Sequence, residues 1–227
     1  MLLVGLQSPV LLVYLLGSFL VSFTAHEAAH ALAATLLGDP TSREQGRLTL
    51  NPLAHLEKWG TLLMLFVGLG WGKPVPVNPM RFEGVSPKVG MGIVGIAGPL
   101  VNLLLALLIA IPLQWKLLPF RPQEVGALSI SWGDFASMFF LLNIMLASFN
   151  MIPFGPLDGS RVLNAFLPER WFYFSAQLEL PLLGVFFGAI LLDRFLELGL
   201  LAGLLQPVGC GAWHLFIRYA PPFLLQC

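Results

Sequence analysis

Charge is scarce in this chain. Only 11% of its 227 residues are Asp, Glu, Lys or Arg, where a soluble domain carries about 25%. So little charge cannot solvate a globular surface, and a hydrophobic content of 57% with a mean hydropathy of +0.81 agrees. Disorder is excluded as well, because disordered chains are polar and charge-rich. An excess of either sign is also missing. Twelve basic residues balance twelve acidic ones, which leaves no electrostatic footprint for a nucleic-acid partner. Two cysteines, Cys210 and Cys227, are too few for a disulfide framework and read as apolar fillers. No basic residue precedes the first apolar run, which argues against a cleavable secretory signal. Repeats, low-complexity tracts and long linkers are absent. The expectation is one membrane-embedded domain over 1–227.

A spanning helix needs about 20 mostly apolar residues. Six runs qualify or come close: Pro9 to Leu37, Leu53 to Trp71, Gly90 to Leu113, Phe135 to Ile152, Phe172 to Leu192, and Phe195 to Ile217. The fold class is therefore an all-α polytopic membrane protein with about five to six hydrophobic helices. Its motif-bearing core covers about 9–165, and a C-terminal helical hairpin covers about 172–217. Basic residues in short loops set orientation. Arg43, Arg47, Lys58, Lys73, Arg81 and Lys88 lie between the first and third runs, which makes that stretch cytoplasmic; the loop before the fourth run holds only Lys116 and Arg121. A single crossing by the second run would strand Lys73, Arg81 and Lys88 on the opposite side. Either 53–71 is a re-entrant or hairpin-like element, or the rule is broken here; the first is preferred. Pro74, Pro76 and Pro79 forbid a helix in GKPVPVNP, so a short extended or re-entrant segment is expected near 73–80. Irregular backbone at membrane depth is tolerated only against protein or a wet cavity.

The informative motif is HEAAH at His26 to His30, inside the first run. On a helix, positions i and i+4 lie about 40° apart around the axis, so both imidazoles face one way. That is the spacing of two zinc ligands, with Glu27 placed as general base. Ionisable residues inside a span are costly and point to function. A catalytic zinc takes three protein ligands and keeps one position open. Asp158, just beyond the breakers Pro153, Gly155 and Pro156, is the leading candidate for the third ligand; its alternative is an N-cap at the start of a helix. His55 is a rival ligand or a hydrogen-bonded residue near a helix start, and His214 is an interfacial residue. Gly98 and Asn102, in AGPLVN, read as a close helix-packing motif.

HEAAH in the first span followed by NMIPFGPLDG in a later one resembles the site-2 protease family of intramembrane zinc metalloproteases. GRLTLNPLAH at 46–55, GWGKPVPVNP at 70–79 and AGPLVN at 97–102 are similar to its compact prokaryotic branch. The resemblance covers about residues 18 to 165. It implies one catalytic Zn2+ held by His26, His30 and Asp158, with Glu27 activating the attacking water. It implies that Asn150 engages substrate or its oxyanion, with helix packing as the alternative, and leaves His55 as a further substrate-side candidate. The implied substrate is a transmembrane-helix protein, cleaved in a prokaryotic cell membrane at a site nearer the cytoplasmic side. A substrate helix must unwind before its carbonyls can be attacked, and Pro74, Val75, Pro76 and Val77 could receive the unwound strand by strand addition. Two other classes remain open on the residues alone. An ion or proton transporter also buries His, Glu and Asp at membrane depth, and a zinc-binding regulator without proteolysis would share the ligands.

Overall fold

A computed structural model describes residues 9–67, 71–118 and 131–217. Among these residues the chain forms helices and no strand, in keeping with an all-α membrane protein. The elements are α1 (Pro9–Leu36), α2 (Thr41–Glu44), α3 (Lys58–Val67), α4 (Pro87–Gln114), α5 (Trp132–Asn150), α6 (Asp158–Phe166), α7 (Glu169–Phe195) and α8 (Leu200–Phe216). Of the described helices, α1, α4 and α5 are long and apolar enough to cross a membrane. At 28 residues each, α1 and α4 reach about 42 Å, more than the roughly 30 Å hydrocarbon core.

Helices in lipid gain nothing from turning leucines inward, and small or polar residues form their contacts. The buried side of α1 follows that rule at four-residue spacing: Tyr14, Ser18, Ser22, His26, His30 and Ala34. The buried side of α4 has the same spacing, with Gly90, Val94, Gly98, Asn102, Ala106 and Ala110. Rows spaced by four are the ridges that interlock when helices pack. Ser137, Asn143 and Ala147 are among the α5 residues that close the third side. A purely apolar cluster forms farther along, where Ala106, Ala110, Leu113, Phe140 and Ile144 meet Trp213 and Ile217 of α8. Cys210 packs beside it and is disulfide-bonded, which corrects its reading as a simple filler; Cys227 and Arg121 lie outside the described residues.

Among the described residues the second apolar run forms no helix long enough to cross. Its helix, α3, has ten residues and rises about 15 Å, half the hydrocarbon thickness. The chain then returns to where it left: Leu56 bridges Gly72 in antiparallel fashion, and the Lys73 amide donates to the His55 carbonyl at 2.8 Å. Gly60 permits the return, because a Cβ there would lie 2.0 Å from the Trp71 carbonyl oxygen. The two ends of the run therefore lie together, as in the hairpin-like element that charge parity favoured. An extended stretch over 73–78 follows, as the prolines require.

Asp39 ties the end of α1 to that stretch. Gly38 leaves the helix at φ +97°, and the buried Asp39 follows. Its Oδ1 accepts from the Thr41 amide at 3.1 Å and its Oδ2 from the Asn78 amide at 2.6 Å. Burial alone would raise this carboxyl, but the Thr41 hydroxyl and the two amides outweigh it and hold it below its ordinary range. A depressed pKa means stabilisation that is complete at neutral pH and is lost as pH falls through the folded value. Asp39→Asn should therefore cost roughly 1.5 kcal/mol at pH 7. Thermal melts in detergent should show its gap from wild type closing as pH drops below about 3.9.

Candidate metal centre

Three elements bring the polar residues together. His26 and His30 occupy successive places in the buried row of α1, and Asp158 opens α6. The break at 151–157, which contains a cis Gly155–Pro156 bond, turns the chain back from α5 so that α6 can begin beside the site. That approach requires Gly159: a Cβ there would sit 2.3 Å from the Met151 carbonyl oxygen. On the other side Gly92 and Gly95 let α6 lie directly on α4, since Cβ atoms there would meet Ala165 at 2.7 Å and Arg161 at 3.1 Å. Asp158 does not cap its helix, because no side-chain cap bond forms at Leu157. Its carboxylate turns inward instead.

The resulting group is tight and dry. Asp158 Oδ2 lies 3.1 Å from His26 Nε2 and 3.2 Å from His30 Nε2, and the two Nε2 atoms are 3.0 Å apart. His26, His30 and Asp158 are 3%, 4% and 6% exposed. The other side of each ring fixes its tautomer. His30 Nδ1 lies 2.6 Å from the Val94 carbonyl oxygen, which can only accept, so Nδ1 carries the proton. His26 Nδ1 lies 2.6 Å from Asn102 Oδ1. Asn102 has no freedom to flip, because its Nδ2 donates to the Ser22 carbonyl at 3.1 Å and to Asn143 Oδ1 at 2.9 Å. Asn143 is anchored in turn by donating to the Phe139 carbonyl and to Ser22 Oγ, both at 2.8 Å. The chain of bonds makes Asn102 Oδ1 an acceptor and His26 Nδ1 a donor.

With Nδ1 as the donor on each ring, Nε2 is the atom turned toward the carboxylate, and in a neutral imidazole that atom is a lone pair able to bind a metal. Two Nε2 atoms and a carboxylate oxygen gathered at one point are a donor set that a cation takes. Ligands 2.0–2.1 Å from a tetrahedral zinc lie about 3.3 Å from each other, close to the spacing observed. Two nitrogens, one carboxylate and an open position suit catalytic zinc. Gly98 keeps the adjoining space clear, since a Cβ there would lie 2.5 Å from His30 Nε2 and 2.7 Å from His26 Nε2. The residues present fit the metal. Among the described residues His26, His30 and Asp158 are the one group of three able to hold an ion.

Other sequence candidates lie outside this group. Glu27 sits on the next position of α1, half-buried, and forms no hydrogen bond with the described residues. Asn150 ends α5 and donates from Nδ2 to the Leu146 carbonyl at 2.9 Å. His55 is fully buried beneath the hairpin, with Nε2 donating to the Thr49 carbonyl at 2.9 Å. His214 is exposed on α8. Pro74, Val75, Pro76 and Val77 form the extended stretch. Asn102 and Asn143 are the residues that the motif reading undervalued. Their signal was present, as an uncharged polar side chain inside an otherwise apolar span.

Sequence comparison places these features among known proteins. The profile of peptidase family M50 matches residues 118–187. YwhC of Bacillus subtilis, named as a candidate zinc metalloprotease, is 42% identical over 158 residues, which is 70% of this chain and 71% of that protein. Rip2 of Mycobacterium tuberculosis, also named as a candidate zinc metalloprotease, is 33% identical over 164 residues, covering 69% of this chain and 59% of its own length. The zinc metalloprotease MJ0392 of Methanocaldococcus jannaschii is 30% identical over 102 residues, or 45% of this chain and 27% of that one. No solved structure matches.

The geometry makes Gly98→Ala a sharp probe. The added methyl should push both imidazoles off the shared point and abolish retention of a divalent metal, read by elemental analysis, while helical circular dichroism is kept. Asn102→Leu should weaken metal affinity about 10–100-fold in chelator competition.

Proposed function

The chain belongs to peptidase family M50, the site-2 protease family, and from that membership we propose that it is a zinc metalloprotease cutting peptide bonds within or near transmembrane helices. One observation carries the reading: His26, His30 and Asp158 direct three acceptors at one point in a membrane-crossing bundle, with Glu27 on the adjoining position. In this reading His26, His30 and Asp158 hold one zinc ion. Bound zinc supplies Lewis acidity, bringing the pKa of the attacking water near 7 and polarising the scissile carbonyl. Glu27 takes the proton from that water and delivers it to the departing amine nitrogen. Asn102 and the Val94 carbonyl keep the two imidazoles in the tautomer that presents Nε2. Arg161 Nη1 lies 3.7 Å from Asp158 Oδ1 and keeps the second carboxylate oxygen turned away from the site.

Substrate reaches this site as an unwound strand. The Val75 and Val77 amides and the carbonyls of 74–77 make no hydrogen bond among the described residues, which leaves a docking edge for an extended peptide. Asn150 and His55 are the further substrate-side candidates. The basic residues around the hairpin favour the cytoplasmic side for this end of the bundle.

Reconstitution with a reporter transmembrane helix tests the assignment. Wild type should cleave the reporter, and Glu27→Gln should lose about 10²–10⁴-fold in rate with its zinc content intact. Equal cleavage by the two proteins would remove Glu27 from the mechanism. Zinc binding without cleavage by wild type would point to a regulator, and metal-independent proton flux to a transporter.

A further inference from the structure

A cavity of about 330 Å³ lies on the face of α6 turned away from the metal ligands. Asp158 faces the imidazoles, whereas Ser160, Leu163 and Asn164 stand roughly 140–240° around the helix axis from it and line the cavity. Apolar groups supply most of the wall: Pro79, Met91, Phe154, Leu163, Phe172 and Leu182. The polar groups have their donors engaged within the protein. Ser160 Oγ donates to the Leu157 carbonyl at 2.7 Å, and Asn164 Nδ2 donates to Ser175 Oγ at 2.7 Å, which donates to the Phe172 carbonyl at 3.0 Å. Arg161 is in the wall as well, with Nη1 turned toward Asp158 Oδ1 at 3.7 Å. The surface left for an occupant is apolar.

Helix geometry sets how far this cavity lies from the chemistry. Gly98 abuts both ligand imidazoles, Met91 lines the cavity, and the seven positions from one to the other along α4 span about 10 Å. The cavity also meets the extended stretch, because Pro79 in its wall stands two positions past Val77. An extended peptide advances about 3.3 Å per residue. A strand lying along 74–77 with its scissile bond at the metal centre would bring a side chain about three residues from the cut to this cavity.

We propose that this cavity is a subsite for one bulky apolar side chain of the substrate, such as phenylalanine or leucine, about three residues from the scissile bond. This deepens the metalloprotease reading and rests on it, including docking along 74–77. The physical reason is exposure. A helix unwound toward a site that must admit water presents side chains that lipid had covered, and burying one of them again is worth roughly 10–100-fold in binding. A substrate helix would then be chosen by a bulky residue at a fixed distance from the bond that is cut.

The test uses reporter transmembrane helices that carry Phe or Ala at single positions within about four residues of the cut, cleaved by the zinc-loaded full chain. At one position wild type should favour Phe over Ala by about 10–100-fold in kcat/KM. Leu182→Trp, which fills the cavity from α7, should bring that ratio near one with zinc retained. Leu182→Ala, which deepens the cavity, should extend the preference to Trp, and it carries the test alone if Leu182→Trp does not fold. A wild type with no such position, a ratio that neither variant moves, or a preference for Glu over Phe would overturn the subsite. Binding is read separately by disulfide trapping in Glu27→Gln protein, between Leu163→Cys and single cysteines along the reporter. Trapping should peak at one reporter position; a flat profile would overturn the subsite. A peak together with no cleavage by wild type would leave the subsite standing and sink the protease reading instead.

Discussion

Two imidazole lone pairs and a carboxylate oxygen are held within about 3 Å of one another in a dry interior, and the rest of the bundle is arranged around that conflict. Left alone, these groups would rotate apart. They are prevented by what lies behind them. Each ring has spent its one N–H on an oxygen that can only accept, and the asparagine pair transmits that requirement from α5 through α4 to α1. The backbone carbonyls of Ser22, Phe139 and Val94 thus fix the rings that would hold the metal, and such outer partners are worth about 10–100-fold in affinity.

Close approach is the second requirement, and it explains where glycine occurs. Positions 92, 95, 98 and 159 are not loop residues chosen for freedom of φ. They lie at helix contacts where a methyl group would strike a neighbouring backbone, side chain or ligand. In lipid this serves a double purpose, because dispersion between close backbones replaces the hydrophobic force that drives soluble cores. The same small residues that hold α1, α4 and α6 together leave room for the ion.

How much of this was legible depends on the range of the interaction. His26, Glu27 and His30 are readable because helical geometry alone puts them on neighbouring faces. Asp158 was readable as a polar residue after a helix break, although spacing could not separate a ligand from a cap; its carboxylate turns inward beside the two imidazoles and makes no cap bond. A hairpin-like element over 53–71 was one of two readings left by charge parity, a global constraint visible in one sequence, and the meeting of Leu56 with Gly72 agrees with it. Asn102 sat in a recognised packing motif, and nothing local says that its amide meets His26, 76 residues away. Arg47 was least legible of all. It counted as one more basic residue for orientation, and only the tertiary fold shows it buried beneath the hairpin. The four-residue rows on α1 and α4 were in the sequence throughout, but apolar residues on every other face hid them from a search for amphipathic periodicity.

The hairpin has a geometric consequence. Leu56 bridges Gly72 and the Lys73 amide bonds the His55 carbonyl, so the segment between them leaves and rejoins the bundle at one place. An element of about 15 Å set into a bilayer that way would enter and leave by a single face and disturb one leaflet alone. A bundle built so would admit water from one side without opening a path across.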